Sequence, residues 1–135
     1  MSAALLDANV LIALATPEHF SRGACTSWFN SRSDSRFATC ALTEGALLRF
    51  VLRVQARPSM TLALDLLAAI QMLPGHFFIE EAPSYREAQL SMVRGHKQLT
   101  DAYLASIARR NDFKLVTLDA GLAALHGDVC LLLRG

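Results

Sequence analysis

The sequence predicts a single α/β domain with a mainly parallel central sheet flanked by helices. Three observations lead there. Short apolar runs of strand length alternate with longer stretches of helical periodicity. Two of those runs, "AALLD" and "FKLVTLD", close on an aspartate. The chain has 135 residues, 53% hydrophobic and 19% charged, which is enough apolar material for one well-filled core and argues against wholesale disorder.

The elements follow in order. "AALL" at 3–6 reads as a short buried strand, which puts Asp7 at its carboxyl end. Asn9 is placed to cap "VLIALA", a short helix closed by Pro17. Residues 18–30 read as a helix with Trp28 and Phe29 on its apolar face, and the polar "SRSDSR" at 31–36 as a turn. "RFATCAL" at 36–42 is a second buried strand. Thr43 can cap the helix that follows. Leu47, Leu48, Val51, Leu52 and Val54 form its apolar stripe, Arg49, Arg53 and Arg57 lie on other faces, and Pro58 ends it. Glu44 falls in its first turn, where the helix dipole favours a negative charge. Residues 59–72 form another amphipathic helix, stopped by "PG" at 74–75, and "HFFIEE" is a third strand.

Pro83 is expected to begin a helix running to about Arg94, followed by a loop over 94–100. "DAYLASIARRN" is a helix with Asp101 in its first turn. "FKLVTLD" at 113–119 and "DVCLLL" at 128–133 are the last strands.

Composition narrows the function classes. The net charge of +1 neither announces nor forbids nucleic-acid binding, so any basic surface must be local. The cysteines at 25, 40 and 130 have no zinc-site spacing, and their odd number argues against a disulfide framework; buried, reduced thiols of a cytoplasmic protein are expected. Asp7 interrupts the apolar N-terminus, which lacks a basic n-region, so it does not read as a signal peptide. "TLALDLLAAIQML" is too short to span a bilayer and contains Asp65, so no membrane association is expected.

The chemistry lies in the acids. In parallel α/β sheets ligands bind beyond the carboxyl ends of the strands. That brings Asp7 and Asp119 to one edge, and Glu44 and Asp101, both at helix starts, can point there too. Four converging carboxylates cannot all stay ionised unaided. A hard divalent cation, magnesium or manganese, resolves the conflict, and can activate a water and stabilise charge on a phosphoryl group. Asp34, Asp65, Glu80, Glu81, Glu87, Asp112 and Asp128 read as solvated or capping acids, and His19, His76, His96 and His126 show no ligand spacing.

The stretches "LLDANVLIAL", "ALTEGALLRF", "LTDAYLASIA" and "LVTLD" occur in that order over nearly the whole chain. The ordered set resembles the PIN-domain ribonucleases, in particular the VapC toxins of bacterial toxin–antitoxin pairs. The resemblance implies one PIN domain over 1–135, acting as a Mg2+- or Mn2+-dependent endoribonuclease toxin. It further implies a cognate VapB-like antitoxin and a homodimer. Asp7, Glu44, Asp101 and Asp119 match the family's metal-binding, catalytic acids, and Asn9 and Thr117 the polar positions that support the first and last of them. An RNA substrate needs positive charge nearby, and the candidates are Arg49, Arg53, Arg94, Lys97, Arg109 and Arg110. Exposed apolar positions within 9–30 and 43–72 would suit an antitoxin segment.

Rival readings fare less well. A phosphatase of the haloacid dehalogenase type would want a second Asp where Asn9 stands. A phosphoryl-accepting receiver domain leaves Glu44 unexplained and lacks its adjacent acidic pair. A catalytically silent PIN-like RNA- or protein-binding module stays open as the alternative, and metal-dependent RNA cleavage separates it from the enzyme.

Overall fold

The computed structural model describes residues 3–32, 34 and 36–134. Strand β1 (Ala4–Leu6) leads through helices α1 (Ala8–Ala15) and α2 (Arg22–Ser31) to β2 (Phe37–Cys40). Helices α3 (Ala41–Val54) and α4 (Met60–Gln71) lead on to β3 (His76–Ile79). After an irregular stretch and a 3-10 turn (His96–Gln98) come α5 (Leu99–Arg110), β4 (Lys114–Thr117), α6 (Ala120–Leu125) and β5 (Cys130–Leu132). The sheet has the order β3-β2-β1-β4-β5, and every pairing is parallel.

Strand alternation divides the core into two layers. Ala4, Leu6, Phe37 and Val116 face one side and pack with Val10, Leu11, Leu47, Val51 and Leu67 from α1, α3 and α4. Leu5, Ala38 and Leu115 face the other and pack with Leu104, Ile107 and Leu122 from α5 and α6. The chain winds outward from β1 through β2 to β3, then crosses back to β4 on the other flank of β1. The strand order therefore reverses between β1 and β4. Open α/β sheets bind ligands at such a switch point, beyond the strand carboxyl ends. Asp7 directly follows β1 and Asp119 follows β4 by one residue.

Gly75 closes the predicted "PG" turn at φ 91°, and its carbonyl accepts from the Phe37 amide at 2.9 Å, tying the start of β3 to β2. The three cysteines are free, with Cys25 and Cys40 buried. Among the described residues no helix is long and apolar enough to cross a membrane.

Several elements depart from expectation. Asp7, rather than Asn9, caps α1, accepting from the Ala8 amide. Cys40, rather than Thr43, is the N-cap of α3; Thr43 stands three residues on and reaches back, its Oγ1 accepting from the Cys40 amide at 3.1 Å. The helix expected over 18–30 begins only at Arg22, and the strand expected over 36–42 yields to α3 after Cys40. Residues 33 and 35 of the expected turn lie outside the described residues. The helix expected from Pro83 does not form. Ser84–Ala88 make a single turn, and the Gln89 amide donates instead to Ser106 Oγ on α5 at 3.1 Å. Most of 83–94 is exposed, so the segment lacks the packing that sustains a short helix. Helix α6, six residues in "LDAGLAAL", carries too little periodicity to be predicted.

Candidate active site

At the switch point one hydroxyl links two acidic residues. Thr117, buried at the end of β4, donates from Oγ1 to Asp7 Oδ2 at 2.8 Å. The same oxygen accepts from the Asp119 backbone amide at 3.0 Å. Asn9 completes the link between α1 and β4. Its Nδ2 lies 3.4 Å from Thr117 Oγ1, and its Oδ1 accepts from the Leu118 amide at 3.2 Å. Asn9 and Thr117 thus bridge α1 and β4 next to Asp7 and Asp119. Asp119 in turn caps α6, accepting from the Leu122 amide at 3.1 Å.

Asp7 is 7% exposed. Burial raises its pKa above the ordinary carboxylate range; hydrogen bonds from Thr117 and Ala8 work against that rise, and the Asp119 charge adds to it. Asp101, half-buried in the first turn of α5, is pushed up to about 6, first by burial and then by the charges of Asp7 and Asp119. Three of the four predicted acids therefore feel one another across β1, β4 and α5.

Glu44 is engaged elsewhere. It sits in the first turn of α3 as expected, but its Oε2 accepts from Thr39 Oγ1 at 2.6 Å and from Gln71 Nε2 at 3.1 Å. His76 Nε2 stands 2.8 Å from the same Thr39 oxygen. Burial lowers the His76 pKa, with the Glu44 charge opposing. Thr39, Gln71 and His76 were not foreseen as site residues, because nothing in their spacing connects them to Glu44.

A PIN-domain family model matches residues 4–127. Ribonuclease VapC29 of Mycobacterium tuberculosis is 47% identical over 129 residues, spanning 96% of this chain and 95% of the relative. Ribonuclease VapC38 of the same organism is 35% identical, over 90% and 89% of the two chains. This chain is a PIN-domain protein of the VapC family. Solved structures agree on the fold. VapC20 of Mycobacterium tuberculosis, described as a Sarcin-Ricin loop cleaving toxin, superposes with a TM-score of 0.68 at 16% identity, over 90% of this chain and 94% of that one. FitAcB from Neisseria gonorrhoeae gives 0.67 at 19% identity, over 96% of each chain.

The basic residues proposed from sequence divide in this VapC-family chain. Arg94 and Lys97 are exposed in the segment that precedes Asp101 in the chain, with an Arg94 guanidinium nitrogen donating to the Ser91 carbonyl at 3.2 Å. Arg109 and Arg110 end the same helix, about 12 Å further along its axis at 1.5 Å per residue. They are ion-paired there: Arg109 with Asp128 at 2.7 Å and Arg110 with Glu81 at 2.6 Å. Both cations are thus already paired with acids of the same chain. Arg49 is exposed midway along α3, and Arg53, near its end, packs over Phe50 at 5.9 Å.

Among the described residues no group of three or more His, Cys, Asp and Glu side chains is close enough to hold an ion by protein ligands alone. Magnesium-class cations do not require that, because they bind through one or two carboxylates and keep several waters. An all-oxygen set of mutually repelling aspartates, two with raised pKa values, fits such an ion.

Proposed function

We propose that this VapC-family protein is a cytoplasmic endoribonuclease toxin dependent on Mg2+ or Mn2+. The observation that carries the reading is the mutual charge of Asp7, Asp101 and Asp119 at the sheet's switch point. The 47% identity to a protein named a ribonuclease supports the substrate class. Asp7, Asp101 and Asp119 would hold the cation, and Glu44 would join them by releasing Thr39 and Gln71. When bound, the ion supplies an activated water and stabilises charge on the phosphoryl group.

The chain's own residues do the rest. Thr117 fixes the Asp7 carboxylate, and the cap on α6 fixes Asp119. Asp101, whose proton is held up to about pH 6 by burial and by its acidic neighbours, would give up that proton on taking the cation. Arg94 and Lys97 position the phosphate backbone. Cleavage of cellular RNA with end-mapping, with and without chelator and against Asp7→Asn, tests the reading. Cleavage that persists in chelator or in the variant removes it.

The partner reading is a VapB-like antitoxin bound to a homodimer. Its support is exposed apolar surface: Phe20, Met60, Leu62, Leu64 and Met72 are 46–88% exposed. Co-expression with the neighbouring small open reading frame should relieve growth arrest and give a stable complex. Light scattering of the free toxin should give twice the chain mass.

A further inference from the structure

A cavity of about 400 Å3 opens beside the aspartates. Asp101 and Asp119 form one wall, Leu122, Ala124 and Leu125 of α6 another, and Gln98 stands at the start of α5. The volume lies in the range of small-ligand sites. Its character is apolar along α6 with a single uncharged polar side chain. Beyond the two aspartates that would hold the metal ion, that lining has no basic side chain for a phosphate. A flat heterocycle finds aliphatic surface for its faces and, in Gln98, one uncharged hydrogen-bond donor for its edge.

The Gln98 amide is oriented. Its Oε1 accepts from the Arg94 backbone N–H at 2.7 Å, and that N–H can only donate, so the oxygen is identified by its partner. The Gln98 backbone is held as well, donating to the Gly95 carbonyl at 3.0 Å. The Nε2 group is left to meet a ligand, and it carries only donors.

We infer that this cavity seats one unstacked nucleobase of the bound RNA strand beside the cleavage site, and that Gln98 favours bases presenting a carbonyl oxygen there. Guanine presents O6 and uracil O4, whereas adenine and cytosine carry amino donors at the corresponding positions and would set donor against donor. Sequence-specific RNA recognition generally targets splayed, unpaired bases, and a pocket contiguous with the catalytic carboxylates reads the base nearest the cut. Gly121 keeps that junction open, because a Cβ there would stand 3.3 Å from Asp119 Oδ1. The inference rests on the ribonuclease reading above.

The test is cleavage of a single-stranded RNA pool with a randomised segment, followed by sequencing of the new ends. Gln98→Glu keeps an oxygen for the Arg94 amide and replaces the donors with an acceptor. Ala124→Leu fills the cavity from an exposed helix position. Both proteins are checked for wild-type thermal melts. Wild-type ends should be enriched about tenfold for G or U at one position flanking the cut, the discrimination expected of a good edge contact. Gln98→Glu should shift that position toward A or C, and Ala124→Leu should flatten it. The added charge of Gln98→Glu would lower every rate together, so the ratio between bases is the readout. One base profile shared by all three proteins, or no preference in the wild type, overturns the pocket while leaving the ribonuclease intact. A wild-type protein that cuts nothing in the pool overturns the ribonuclease reading, and the pocket with it.

Discussion

Thr117 carries more of the site than its size implies. Its hydroxyl satisfies the buried Asp7 carboxylate and the Asp119 amide at once. Thr117→Val keeps the shape but strands both groups, and an unsatisfied buried polar group costs about 1–3 kcal/mol. A urea melt should show a loss of that order, with cleavage activity falling too, and Thr117→Ser should recover both. A valine variant as stable and active as wild type would remove the support role. Asp101 behaves in the opposite sense. Its folded pKa of about 6 lies above the ordinary carboxylate value, so without metal the native state holds the proton more tightly than the unfolded chain. Stability from this group is full below the unfolded pKa near 4 and is lost as pH rises through about 6. Asp101→Asn deletes that titration. In chelator the variant should be as stable as wild type or more so at pH 7, with a flatter pH dependence between 4 and 7, and should not cut RNA. A metal-free fold that collapses in this variant would mark Asp101 as a structural acid. Asp101 was legible in the sequence because a helix-start acid leaves a local signature, whereas Thr117 came only from the family resemblance. Glu44's partners were not legible, since Thr39, Gln71 and His76 meet it only through tertiary packing.

Helix α5 carries basic residues toward both of its ends. Its start carries Asp101, preceded in the chain by the exposed Arg94 and Lys97, and its end carries Arg109 and Arg110 in ion pairs. Sequence shows all four cations near one acidic motif, and only the helical rise separates them. Arg94→Ala with Lys97→Ala should raise KM for RNA several-fold and make binding less dependent on salt. Each phosphate that the protein neutralises contributes about 0.7 to the log–log salt slope on a single strand, so the slope should flatten by that amount per cation removed. Arg109→Ala should leave KM unchanged. It strands His126 Nδ1, which Arg109 faces at 3.0 Å inside the fold, so a stability loss of about 1–3 kcal/mol is expected instead. The reverse assignment, KM moving with Arg109 and not with the loop pair, would return the RNA path to the far end of the helix. Other elements show where local reading stops. Pro83 signals a helix start, but residues 83–94 bury too little to hold one, and Ser106 takes the Gln89 amide. Helix α6 gives no periodic signal in six residues, yet its Leu122 amide holds the Asp119 carboxylate and its side chains form a wall of the cavity.

At the scale of the molecule the fold works against itself to build the site. Alternating apolar strands and amphipathic helices were enough to predict a parallel sheet, and strand ends closing on Asp were enough to locate its functional edge. The strand order, which the sequence pattern does not reveal, sets β1 beside β4 and so forces Asp7 and Asp119 together. Their shared charge with Asp101 opposes folding at neutral pH when no cation neutralises it. A cation that binds only the native state reverses that cost by RT ln(1 + [L]/Kd). At ten times Kd this is about 1.4 kcal/mol, and unfolding entropy near 2 cal/mol/K per residue turns it into a rise of about 5 °C in Tm. Millimolar Mg2+ or Mn2+ should therefore raise Tm by several degrees more than a monovalent salt of matched ionic strength. The ion must also compete with the proton on Asp101. The metal-dependent rise should accordingly be larger at pH 7.5 than at pH 5, below the Asp101 pKa of about 6. Asp7→Asn should shrink the rise at both pH values. Thermal melts of both proteins across the two salts and two pH values decide it. Equal shifts from divalent and monovalent salt would mean that screening alone relieves the aspartates and that no ion is held among them.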